Sequence, residues 1–170
     1  MDLGHMLLST LAAALSTFII GFIWYNPKVF GNAWMKAEGL TQEALKKGNM
    51  AKIFGLSFVF AFIAGFLVIH PVVIHQFGAL GMVGGDPEHA KASYTAFMAD
   101  YGTAFRTFKH GALHGSILGI GLAFPVIAIN GLYAHKSWKL IFITAGYWVV
   151  SLAIMGGIIC GWSENGFHFS

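Results

Sequence analysis

Apolar positions along this chain do not alternate with polar ones. They fall in four long runs, at 3–27, 53–85, 110–135 and 140–163, each free of Asp, Glu, Lys and Arg. A hydrocarbon layer of about 30 Å takes roughly 20 helical residues to cross, and every run is long enough. No period-2 alternation marks the strands of a β-barrel. Backbone groups in lipid must be satisfied within their own segment, so the runs read as helices. The pattern predicts transmembrane helices at about 5–25, 53–75, 110–131 and 140–162. They form a single domain over 1–170 of the all-α class: a polytopic membrane helical bundle with short interfacial helices in its loops. Asp2 is the only charge ahead of the first run. Without a basic leader, that run is expected to be a retained helix and not a signal peptide.

The connecting segments carry their own pattern. Trp24-Tyr25-Asn26-Pro27 ends the first run, and Asn-Pro is a helix stop. Trp24, Tyr25 and Trp34 are expected as anchors at the headgroup level. Val29-Phe30 and Trp34-Met35 are about one turn apart and predict a short helix on the membrane. Thr41 can cap a second one, with Glu43 near its start, Lys46-Lys47 near its end and Gly48 as its stop. Between the second and third runs, Asp86-Pro87 predicts a helix start. Ala90, Tyr94, Phe97, Met98 and Tyr101 then predict an amphipathic helix over 86–101. A short echo links Gly21-Phe22-Ile23-Trp24, before Pro27, with Gly121-Leu122-Ala123-Phe124, before Pro125. Pro125 is expected to kink the third helix and free a carbonyl one turn earlier.

Composition agrees with the pattern. Hydrophobic residues make up 56% of the 170 and charged residues 10%, against about 25% charge in a soluble domain. That excludes a water-soluble globule, a disordered chain and a disulfide mini-protein. Lys28, Lys36, Lys46, Lys47, Lys52, Lys136 and Lys139 fall on one side of the predicted membrane, and Lys91, Arg106 and Lys109 on the other. Basic loops stay in the cytoplasm, so both termini are expected on the outer side of the membrane. The net charge of +3 is spread over loops; it suits anionic lipid and forms no nucleic-acid patch. Cys160 is the single cysteine, so it has no intrachain disulfide partner.

The stretch from Gly21 to Met35, with Trp24-Tyr25-Asn26-Pro27, Phe30-Gly31 and Trp34, resembles the opening signature of a bacterial membrane family catalogued as domain of unknown function 1761. Members are similar in length and in having about four hydrophobic segments. The resemblance implies a membrane bundle. It brings no activity and no site residues.

Candidate chemistry rests on histidine. Of eight, only His135 lies on the lysine-rich side. His110 and His114 are four apart and share a helix face, with Arg106 one turn earlier. His70 lies at similar depth on the second helix. His75, five residues further with Pro71 between, is not expected on that face. Imidazole is a common ligand for zinc, copper and haem iron. His70, His110 and His114 are therefore the candidate metal ligands, with a haem between two helices as a variant and Cys160 or Met6 as softer ligands. The plain alternative is a set of imidazoles bonded to carbonyls or neighbouring helices.

Small residues recur every fourth position at Gly111, Gly115 and Gly119, and at Gly157 and Gly161. In lipid such ridges let helices approach closely, within the chain or between copies. Catalytic patterns are missing. His110 and His114 lack the Glu of HExxH, Ser116 is in no GxSxG elbow, no nucleotide loop is present, and no apolar run holds a carboxylate. The leading expectation is a non-catalytic structural or accessory membrane module that contacts lipid and self-associates or joins a larger complex. The alternative is a small-ligand, metal or haem protein using the histidine cluster.

Overall fold

Four long helices carry the four apolar runs: α1 (Leu3–Trp24), α4 (Met50–Val73), α7 (Phe108–Tyr133) and α8 (Trp138–Gly161). Shorter ones fill the connections: α2 (Asn32–Glu38), α3 (Gln42–Lys46), α5 (Gln76–Met82) and α6 (Ala92–Tyr101). The computed structural model describes residues 3–163 and 166–169, so Asp2 and Glu164 lie outside the described residues. Among the described residues the fold is all-α except for a two-residue antiparallel ladder, Trp162–Ser163 (β1) against Gly166–Phe167 (β2). The long helices are apolar and long enough to cross a bilayer, which is compatible with a membrane protein. Two ends of the bundle can be distinguished. The histidine end holds the start of α1, the end of α4, the start of α7 and the end of α8. The lysine end holds the 25–49 and 134–137 connections.

Helix ends follow local chemistry. Asn49 accepts from the Lys52 amide at 3.0 Å, Thr107 from His110 at 3.3 Å and Ser137 from Leu140 at 3.3 Å, so α4, α7 and α8 each open on a side-chain cap. Thr41 caps α3 through the Ala44 amide at 3.2 Å, where its position predicts it. Asp86 behaves differently from expectation. It accepts from the His89 amide at 3.3 Å and meets the His89 ring at 2.9 Å. The aspartate is thus spent on its own turn, and α6 starts only at Ala92, making the helix ten residues long.

The interiors of α4 and α7 share one device. Each contains a wide π turn, Gly65–Ile69 in α4 and Gly119–Ala123 in α7. Each turn opens at a glycine six residues before a proline, Pro71 or Pro125. A proline has no amide hydrogen, and its ring crowds the carbonyl one turn earlier. Widening the preceding turn to i→i+5 bonding accommodates both problems. Helix α7 therefore passes Pro125 and runs on to Tyr133.

Packing is tightest between α7 and α8. A side chain at Gly111 would meet the Gly156 carbonyl, and one at Gly115 the Leu152 carbonyl. One at Gly119 would reach the Val149 backbone at 2.7 Å. Backbone thus lies on backbone along the whole 111–115–119 ridge. Gly157 faces the Phe108 ring, and Gly161 faces the Phe108 backbone and the His168 carbonyl. Both ridges are used inside this chain. The core sits at the histidine end, where Ala13, Ile69, Val73, Ile74, Leu152, Met155 and Ile159 are buried together. Large apolar side chains such as Phe22, Ile19 and Leu67 stay exposed on the outer faces of the bundle, as expected where hydrocarbon is the solvent.

At the lysine end, the three predicted anchors form one aromatic knot against α8. The Trp24 indole donates to the Ile143 carbonyl at 3.0 Å, and its ring lies 4.6 Å from Phe30. Tyr25 stands 5.3 Å from Trp34 and 5.4 Å from Tyr147. Lys136 pairs with Glu38 at 2.5 Å, joining the two connections at this end.

Candidate metal centre at the histidine end

Helix α4 stops in a run of β-branched residues, Val72-Val73-Ile74, which hold a helix poorly. Ile74 turns extended, with φ −111° and ψ 98°. His75 then resumes a helical conformation at the start of α5. The chain direction has changed between His70 and His75, so the helical phase of α4 no longer governs where His75 points. On α7, the Thr107 cap places His110 in the first turn and His114 in the next.

These three rings meet. Their centres lie 4.8 Å apart for His75 and His110, 4.9 Å for His75 and His114, and 4.4 Å for His110 and His114. One ring nitrogen from each lies within 4.8 Å of the other two, and His75 is the exposed member. A tetrahedral ion about 2.1 Å from each nitrogen draws ligands to roughly 3.4 Å of one another. Closing the remaining gap takes side-chain rotation, for which the exposed His75 has room. The Nε2 of His110 is buried and has no hydrogen-bond partner among the described residues. A buried orphan acceptor or donor is costly unless something occupies the site. The rings leave no gap for a porphyrin between any two of them.

His70 does not join the group. The π turn at Gly65–Ile69 adds one residue upstream of it, rotating its phase by about 100°. The ring is buried. Its Nδ1 donates to the Gly65 carbonyl at 2.9 Å, and Nε2 lies 3.4 Å from Ser9 Oγ on α1. His70 is thus a helix-to-helix hydrogen-bonding group, the plain alternative the sequence allowed. His75 takes the third place. The signal that could have found it is the β-branched run after Pro71, which breaks the helical register before His75.

The 101–107 connection lies over the cluster. Gln76 donates to the carbonyls of Tyr101 at 2.8 Å and Ala104 at 3.0 Å. The Cys160 sulfur lies 3.3 Å from the Phe105 carbonyl and 3.2 Å from that of Val73. This thiol is buried in packing and is not a member of the histidine group. The guanidinium of Arg106 donates to the carbonyls of Cys160 at 3.1 Å and Trp162 at 2.7 Å. Held in this way, Phe105 adopts φ +61°, which is strained for a residue with a side chain. Its ring stacks on His110 at 5.1 Å and reaches His75 at 6.1 Å. The strain maintains an aromatic wall on one side of the imidazoles.

A family described as "Protein of unknown function (DUF1761)" matches residues 8–160. No curated protein matches, and no solved structure matches.

Proposed function

Since the chain belongs to the DUF1761 family, whose description carries no activity, we propose from the site alone that the protein is a membrane protein that binds one transition-metal ion through His75, His110 and His114. The single observation behind this is the convergence of three imidazoles from two separate segments on one point. Neutral imidazole suits zinc and copper. Three protein ligands leave a fourth position for water or a small ligand, the arrangement of open zinc sites. The Lys and Arg distribution supports an orientation with the histidine end outside, and the resemblance to a bacterial membrane family favours a bacterial inner membrane as the location.

The expectation of self-association rests on the glycine ridges together with the aromatic interfacial loops and the lack of a catalytic set, and the ridges fit packing within the chain as well as between copies. Their close contacts are with helices of the same chain, so they are not available as a docking seam. Metal binding therefore has more support than a purely structural role.

The test is metal analysis and calorimetric titration with zinc and copper on protein carrying no polyhistidine tag. One ion per chain is expected. His75→Ala and His114→Ala should each weaken binding at least tenfold, whereas His70→Ala should retain the ion while lowering thermal stability. No binding, or binding indifferent to His75 and His114, would overturn the proposal.

A further inference from the structure

The three imidazoles are not equally accessible. His75 is exposed, whereas the Nε2 of His110 is buried. The Phe105 ring stacks on His110 with centres 5.1 Å apart. It stands between that imidazole and the 101–107 connection to which it belongs.

Two clasps set the position of this ring. Gln76, the residue after His75, donates through Nε2 to the carbonyls of Tyr101 and Ala104. Arg106 fastens the other flank to the end of α8, through the carbonyls of Cys160 and Trp162. Phe105 is the residue between the two clasps, and it carries a φ of +61°. A residue with a side chain favours negative φ. The clasps, and not local preference, therefore hold the ring against the histidine. Phe105 is also 64% exposed, so its outward side has little packing to lose when the ring leaves.

We propose that Phe105 is the gate of the histidine site, held shut by the Gln76 and Arg106 clasps and opened by an outward swing of its ring. Closed, the ring keeps water and ions from the buried nitrogen of His110. Open, it admits a metal ion and the small ligand that takes the fourth position. The inference deepens the metal reading and rests on it for the identity of what enters, but the cover itself needs no ion.

Diethyl pyrocarbonate, which acylates imidazole nitrogens, reads the cover without a metal. The full chain is stripped with a chelator in mild detergent and treated briefly. Mass spectrometry then gives the modification rate of each histidine. In the wild type, His110 is expected to react at least tenfold more slowly than His135, which is exposed at the opposite end. Phe105→Gly removes the ring and suits the positive φ, so the connection keeps its path. His110 should then react at least fivefold faster than in the wild type. Gln76→Leu releases one clasp and should have the same effect with the ring still present, whereas Phe105→Tyr should keep the wild-type rate. His70, buried and outside the cluster, stays slow in any variant that keeps its fold, so Phe105→Gly carries the test should Gln76→Leu unfold. A wild-type His110 as reactive as His135 would overturn the proposal. So would a Phe105→Gly chain whose His110 reacts at the wild-type rate. Failure of the wild type to bind zinc is a separate outcome: it removes the metal reading, while the rates at His110 still decide the gate.

Discussion

Single residues at both ends of the bundle have environments that chain position alone does not give. At the lysine end, Tyr25 is wedged between Trp34 and Tyr147. Burial, and secondarily the Tyr147 phenol, push its hydroxyl up to about 12 from an ordinary value of 10. The folded state keeps that proton in a range where the unfolded chain has lost it, so this group lowers stability as pH rises from 10 toward 12. Thermal unfolding compared between the wild type and Tyr25→Phe should differ progressively through that window and not below it. At the histidine end, His110 and His114 were readable as a pair because i, i+4 spacing on a helix is a local rule. His70 and His75 were not. Which of them joins the pair depends on a wide turn and on a helix stop, and both act by shifting phase.

Elements show the same division between local and tertiary information. The four long helices are visible in the sequence because charge-free runs of that length have few other uses. Thr41 likewise acts on its immediate neighbours, and its hydrogen bond falls where the sequence puts it. Asp86 misled because an aspartate before proline closes a turn as readily as it opens a helix. The partner of the 111–115–119 ridge was not readable at all, since small residues permit a close approach without naming the surface approached. With the partner known, the consequence is specific. Gly115→Leu puts a branched side chain onto the Leu152 carbonyl and should destabilise the bundle by about 3 kcal/mol or more. The same substitution at Gly55, which has open space around it, should cost nothing measurable. Thermal unfolding in one detergent checks both.

On the scale of the whole molecule, the proposed orientation separates the two ends chemically. Single cysteines introduced at Lys46 and Lys136 in a Cys160→Ala background should be shielded from an impermeant thiol reagent added to intact cells. One introduced at Lys91 should react. The opposite labelling pattern would invert the topology and place the histidines inside. The Glu38–Lys136 pair joins the two lysine-end connections, yet Lys136 is partly exposed, so Lys136→Ala should change stability by no more than about 1 kcal/mol.

The tail beyond α8 has a mechanical consequence. The backbone of His168 is doubly fastened: its amide donates to the Gly161 carbonyl at 2.9 Å, and its carbonyl accepts from the Phe108 amide at 2.7 Å. Phe108 opens the helix that bears two of the three clustered imidazoles, and His110 follows only two residues on. Tension applied to this strap is therefore delivered to the first turn of α7. A binding partner that grips it has a lever on the histidine cluster without touching an imidazole.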